Sequence, residues 1–228
     1  MPGKEWITLK ERSSNTEVLL VFVRAPRLGQ VKTRLAEGVG PEKALAYYKK
    51  FVSLTLGTAV AWQRAAQGGQ VREIWICYTP RQDADMIKHW LGREYRFLAQ
   101  SGSGLGDRMA SAMENALDTG ADRVLLVGTD IPDMVVSHLT SACDALDSGD
   151  LVFGPSLDGG YWLVGAGAGY AGEIFNQIPW GTDQVLAQTL DRCRSLGRSW
   201  TLLPWLQDVD TAEDLDRTRA FGKGQAGV

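Results

Sequence analysis

The chain has 228 residues, 44% of them hydrophobic and 22% charged, with a formal net charge of −3. That length supports one sizeable core, and the composition is too apolar for a disordered chain. The small acidic excess argues against nucleic-acid binding, which needs a basic face, and no run of 18 apolar residues offers a membrane span.

Residues 1–17 are polar and mixed in charge, without the apolar stretch of a signal peptide. They are expected to form a flexible leader, followed by a single domain over 18–221 and a tail over 222–228. Cys77, Cys143 and Cys193 are sparse and lack a CxxC pair, which suits free thiols in a reducing cytoplasm and suggests no zinc site.

Val18–Val23 is a continuous apolar run, expected as a buried parallel strand. Gly40-Pro41-Glu42 opens a long helix, with proline in its first turn and Gly68-Gly69 as its stop. Strands are expected over 74–78, 95–99, 123–128, 150–154 and 200–203. Tyr161–Gly165 reads as an antiparallel return or a bent continuation. Helices are expected over 83–91, 105–117, 135–146, 182–194 and 211–220, with Asp133 capping the fourth of the chain's helices and Asp183 in the first turn of the fifth. Thr211 caps the last, and Asp214 imitates the glutamate of a capping box. His89 and His138 are expected to be structural, without partners. Strands alternating with helices imply a three-layer α/β/α fold with a mostly parallel, Rossmann-like sheet, whose ligands sit beyond the carboxyl ends of the strands.

The loops after the strands therefore carry the chemistry. The first reads Arg24-Ala-Pro-Arg-Leu-Gly-Gln-Val-Lys-Thr-Arg34 and places four cations within eleven residues. Arginine offers phosphate a planar fork, lysine a compact charge, and Gly29 a tight turn. After the third strand, Gln100-Ser-Gly-Ser-Gly-Leu-Gly106 lets backbone approach a planar ligand or an anion closely at Gly104 and Gly106. After the fourth, Gly128-Thr-Asp130-Ile-Pro132 carries a carboxylate suited to a hard divalent cation. Further on, Gly154-Pro-Ser-Leu-Asp158-Gly-Gly-Tyr-Trp162 is dense in turn formers.

These segments, together with Pro179-Trp180-Gly-Thr182 and Asp208-Val-Asp210-Thr-Ala-Glu-Asp-Leu215, resemble in content and order the bacterial GT-A glycosyltransferase-like, or nucleotide-diphosphosugar transferase, family. Its relatives include 2-phospholactate guanylyltransferase, molybdenum-cofactor guanylyl- and cytidylyltransferases and sugar-acid cytidylyltransferases. Val23-Arg-Ala-Pro26 departs from the Leu-Ala-Gly-Gly opening of the nucleotidyltransferases, and Ala212 replaces a proline.

The resemblance implies that Arg24, Lys32 and Arg34 hold phosphates. Gln100, Gly104 and Gly106 would border a nucleobase. Asp130 and Asp210 would hold Mg²⁺ or Mn²⁺, with Asp208 in support. Gly159, Gly160, Tyr161, Trp180 and Thr182 would face the acceptor. Lys32, Asp130 and Asp158 are the catalytic candidates, Asp158 being the single general base on offer. The implied partners are a nucleoside triphosphate or nucleotide sugar and a small acceptor, and a homodimer is left open. The implied reaction is nucleotidyl or glycosyl transfer; a non-catalytic nucleotide- or sugar-binding protein and a scaffold with an unused cleft are the rival readings.

Overall fold

The structure, a computed structural model, describes residues 15–170 and 172–222, with backbone alone for 219–222. Its sheet has seven strands: β1 (Thr16–Arg24), β2 (Val71–Thr79), β3 (Arg96–Ala99), β4 (Arg123–Val127), β5 (Leu151–Pro155), β6 (Tyr161–Gly167) and β7 (Trp200–Leu202). Their spatial order is β3-β2-β1-β4-β6-β5-β7. All neighbouring pairs are parallel except those of β6, which runs antiparallel to both β4 and β5. Of the two expectations for Tyr161–Gly165, the antiparallel return is the one found.

Strand alternation sorts β1 between two cores. Leu19, Val21 and Val23 meet Tyr48, Val52, Leu56, Ile87 and Leu139, which come from α2 (Pro41–Arg64), α3 (Ala84–Leu91) and α5 (Val136–Ala145). Val18 and Leu20 meet Met109, Met113, Leu186 and Cys193, from α4 (Leu105–Asp118) and α6 (Val185–Ser195). The sheet is thus covered on both faces, as the three-layer expectation requires.

A smaller third cluster determines where the site forms. Leu35 of α1 (Thr33–Val39), Ala44 and Phe51 of α2, Val209, and Leu215 of α7 (Ala212–Gly222) pack together, Leu35 and Val209 fully out of water. Gly38 permits the approach: a Cβ there would lie 2.7 Å from that of Ala212. Val209 also donates its N–H to the Asp130 carbonyl at 3.0 Å. The closing segment is thereby sewn to the loop after β4 and to the helix after the basic loop.

Several boundaries differ from expectation. β1 begins at Thr16, so two residues of the expected leader belong to the sheet; residues 1–14 and 223–228 lie outside the described residues. Glu17 looks like a surface residue in sequence, yet it is buried because Arg72 and Arg123 donate to its two oxygens at 2.8 and 3.0 Å. Arg72 also lies over the Trp62 ring at 4.6 Å. Helix α1 was not expected, because its residues read as phosphate loop. A 3₁₀ turn over Gly172–Phe175 was not expected either. Helix α6 starts at Val185 rather than Thr182, because the Thr182 hydroxyl closes a turn, donating to the Pro179 carbonyl and accepting from the Gln184 N–H. Asp133 does not cap α5, and His138 is not partnerless. The cap position is Val135, whose N–H donates to His138 Nδ1 at 3.2 Å. The Thr211–Asp214 box forms as expected, with Thr211 N–H reaching the Asp214 carboxylate at 2.9 Å.

Removing Glu17 leaves the Arg72 charge buried without its carboxylate. Glu17→Ala is expected to cost about 3–5 kcal/mol in urea unfolding, with Glu17→Gln recovering part of the loss.

Candidate functional site

β1 and β4 lie side by side, but the chain beyond them diverges: β2 and β3 extend the sheet one way, β6, β5 and β7 the other. That reversal opens a crevice at the carboxyl ends of the strands, the general location of ligand sites in such sheets. A cleft of about 500 Å³ occupies it, its walls including Arg24, Lys32, Arg34, Tyr48, Gln100, Asp130, Tyr161, Trp162 and Asp210.

At its centre is Lys32. The ammonium lies 3.0 Å from Asp130 and 2.7 Å from Asp210, and the side chain is only 6% exposed. Burial pushes the Lys32 ammonium down, but the two carboxylates outweigh it and hold the group above its ordinary value, so it stays charged. Its backbone is left-handed, φ 48° and ψ 49°, at the cap position of α1. A non-glycine residue pays about 1–2 kcal/mol for that conformation, and here the conformation places the side chain between the carboxylates. Arg34, on the exposed side, donates to the other Asp210 oxygen at 2.5 Å.

The remaining loop cations divide. Arg27 forms a two-pronged pair with buried Asp83, at 2.6 and 2.5 Å, which anchors the loop instead of offering a free charge. This pair holds the Asp83 carboxyl below the usual carboxylate range. Arg24 is exposed at the cleft, bonding the Gln30 carbonyl at 3.4 Å. Its backbone is clamped by Tyr48 of α2, whose hydroxyl accepts the Arg24 N–H and donates to the Arg24 carbonyl, both at 2.8 Å. Burial raises the Tyr48 hydroxyl far above the ordinary phenol value, so it remains protonated.

The glycine loop splits in a similar way. Gly104 faces open space, whereas Gly106 is buried: a Cβ there would meet the Trp180 indole at 2.9 Å and the Phe175 carbonyl at 3.0 Å. The Asp107 carboxylate gathers the Ser103 hydroxyl and the Ser103 and Gly104 N–H groups, fixing the turn. Gln100 lines the cleft while its amide nitrogen donates to the Cys77 carbonyl at 2.8 Å.

Of the residues expected on the acceptor side, Tyr161 forms cleft wall, with its hydroxyl buried away from solvent. Trp180 packs between Tyr161 and Phe175, at ring distances of 6.3 and 6.1 Å. Gly159, at φ 87°, leaves room for the Asp183 backbone, which a Cβ would approach to 2.1 Å. Gly160 donates its N–H to Asp158 at 2.9 Å, and the Ser156 hydroxyl donates to the same Asp158 oxygen. One oxygen of Asp158 is thus taken up by its own turn. Gly159, Gly160, Trp180 and Thr182 do not line the cleft, contrary to expectation; Trp180 backs its wall through the Tyr161 ring.

Negative charge is concentrated where β7 leads to α7. Burial, then the charges of Asp158 and Asp210, push Asp208 up to about 6. Among the described residues no three His, Cys, Asp or Glu side chains form a ready-made metal cage. Asp130 and Asp210 nevertheless fit Mg²⁺ or Mn²⁺. Mg²⁺ usually takes one or two carboxylates and completes its shell with phosphate and water. The Lys32 ammonium already demonstrates that the two carboxylates hold a cation jointly.

Sequence reasoning missed Tyr48 and Trp162 as cleft residues. Tyr48 sits on a helix with no motif around it, and its role follows only from the packing of α2 beneath the end of β1. Trp162 falls inside the glycine-tyrosine motif and could have been found there.

Solved structures resemble the chain over most of its length. A Desulfovibrio desulfuricans protein, provisionally named a nucleotide-diphospho-sugar transferase, superposes with a TM-score of 0.84 at 36% identity, over 92% of this chain and 88% of its own. The 4-diphosphocytidyl-2C-methyl-D-erythritol synthase of Anaerococcus prevotii gives 0.59 at 14% identity, over 92% and 99%. A CMP:2-keto-3-deoxy-manno-octonic acid synthetase in complex with CTP gives 0.54 at 12%, over 92% and 99%. These last two share the fold. The chain belongs to the family described as "Uncharacterized protein conserved in bacteria (DUF2064)", which it matches over residues 62–182. That stretch includes Gln100, Asp130 and Asp158 but neither Lys32 nor Asp210. No curated protein matches the sequence.

Tyr48→Phe removes both bonds to the Arg24 backbone. It is expected to cost about 1–3 kcal/mol in chemical unfolding.

Proposed function

We propose that this protein is a metal-dependent transferase that binds a nucleotide-activated donor and passes a nucleotidyl or glycosyl group to a small acceptor. The observation that carries this is Lys32, buried between Asp130 and Asp210 where β1 and β4 part. Phosphates of the donor would be held by Arg24, Lys32 and Arg34, the arginines by forked hydrogen bonds and the lysine as a point charge. Asp130 and Asp210 would hold Mg²⁺ or Mn²⁺, which supplies neutralisation of phosphate charge as the bond breaks. The name of the 36% identical relative supports a nucleotide-diphospho-sugar donor, and the synthetase solved with CTP supports a nucleotide on this fold.

Of the two transfers, nucleotidyl transfer has the better support. An ionised phosphate or carboxylate acceptor attacks the α-phosphorus, the new O–P bond forms, and pyrophosphate leaves with the electrons of the broken P–O bond. No proton has to be removed from such an acceptor. Glycosyl transfer to a hydroxyl often wants a base, and one oxygen of Asp158 is already taken up by Ser156 and Gly160. Catalysis then rests on positioning and on charge stabilisation in the cleft. Gln100 and the open backbone at Gly104 would border the base, and the Tyr161 ring the acceptor. No helix among the described residues is long and apolar enough to cross a membrane, and the three buried free thiols suit a reducing cytoplasm.

A thermal-shift panel of nucleoside triphosphates and nucleotide sugars, with and without Mg²⁺ or Mn²⁺, tests this. One nucleotide is expected to raise Tm in a metal-dependent way, by the equivalent of about 2.7 kcal/mol at a hundredfold excess over Kd. Asp130→Asn is expected to remove the metal-dependent part. No shift with any member of the panel would contradict the proposal.

A further inference from the structure

We propose that the cleft takes a divalent cation and a polyphosphate as one joint ligand, because Lys32 prevents either from binding tightly alone; this rests on the transferase function above. The charges of Lys32, Arg34, Asp130 and Asp210 are already matched to one another. The Lys32 ammonium spans Asp130 and Asp210, and Arg34 takes the second Asp210 oxygen. The groups suited to a metal and the groups suited to phosphate are therefore bound to each other.

A free divalent cation arriving alone meets an ammonium between its two carboxylates. To bind, it must displace that ammonium, whose side chain is almost wholly withdrawn from water, and leave it without a counter-ion. Removing one partner from such a pair is costly. A polyphosphate arriving alone faces the mirror problem. It must draw Lys32 and Arg34 away and leave Asp130 and Asp210 without their cations. When both arrive together the partners exchange. The ammonium and guanidinium turn to phosphate oxygens, the carboxylates to the cation, and no charge is left alone. The exposed Arg24 adds attraction for an incoming anion. Such coupling is reciprocal: the factor by which metal strengthens polyphosphate binding equals the factor by which polyphosphate strengthens metal binding.

Isothermal titration of the full chain separates the cases, with Mn²⁺ alone, pyrophosphate in chelator, and preformed Mn²⁺–pyrophosphate as titrants. The wild type is expected to bind the complex at least about tenfold more tightly than either component. In Lys32→Gly the left-handed backbone is kept, since glycine adopts it freely. That variant is expected to bind Mn²⁺ alone more tightly than the wild type does and to lose most of its preference for the complex. Arg34→Gln is expected to shift both affinities in the same directions by less. Wild-type binding of Mn²⁺ alone as tight as that of the complex would overturn the inference. So would a folded Lys32→Gly protein, by circular dichroism, with no gain for Mn²⁺. Binding of Mn²⁺–pyrophosphate as described, with no nucleotide raising Tm, would instead overturn the transferase function and leave joint loading standing.

Discussion

The ammonium of Lys32, shared by Asp130 and Asp210, is the contact on which the rest of the site depends. It joins three loops that are far apart in sequence: the one after β1, the one after β4 and the one before α7. None of the three is held by the sheet alone. The Leu35–Val209–Leu215 cluster presses α1 against α7, and the Val209 N–H ties the closing segment to the Asp130 backbone. Apolar burial thus brings the charges together, and the charges hold Lys32 in a backbone conformation that an isolated lysine would rarely adopt. Strain at one residue is stabilised by packing at several others.

The walls around this centre are firm for reasons separate from the charges. Arg27 and Asp83 anchor the basic loop to the start of α3, and Tyr48 fixes the backbone at Arg24. On the opposite side Gly106 and Gly159 let Trp180 and the Asp183 backbone pack closely behind Tyr161. A ligand entering the cleft therefore meets a largely preformed shape in which the exchange of ionic partners is the main rearrangement. Such preorganisation is what a transferase relying on positioning and electrostatics needs.

Much of this was legible in the sequence because strand periodicity and loop position are local signals. The apolar run at 18–23 and the alternation of strands and helices pointed to the fold class, and the family resemblance of the loop motifs pointed to Lys32, Asp130 and Asp210. Functions that depend on tertiary contact were not legible. Loop charge alone did not separate the four cations, and the resemblance left Arg27 out of the phosphate set without saying where it goes; it is committed to Asp83 from a distant helix. Gly104 and Gly106 looked alike, yet one is open and the other packs on Trp180. Glu17 resembled leader, and only the arrival of Arg72 and Arg123 from other strands explains its burial. His138 lacked a partner in sequence because its partner is a backbone N–H three residues away, supplied by the helix cap itself.

The central claim is that the Lys32–Asp130–Asp210 cluster is where a metal-bound nucleotide sits. The most direct measurement is a crystal structure of the protein soaked with Mn²⁺ and the nucleotide that raises Tm, phased to reveal manganese by its anomalous signal. The account predicts a manganese peak bonded to Asp130 and Asp210, with the Lys32 ammonium moved onto a phosphate oxygen. Nucleotide density elsewhere, or a Lys32 still bridging both carboxylates beside a bound nucleotide, would contradict it.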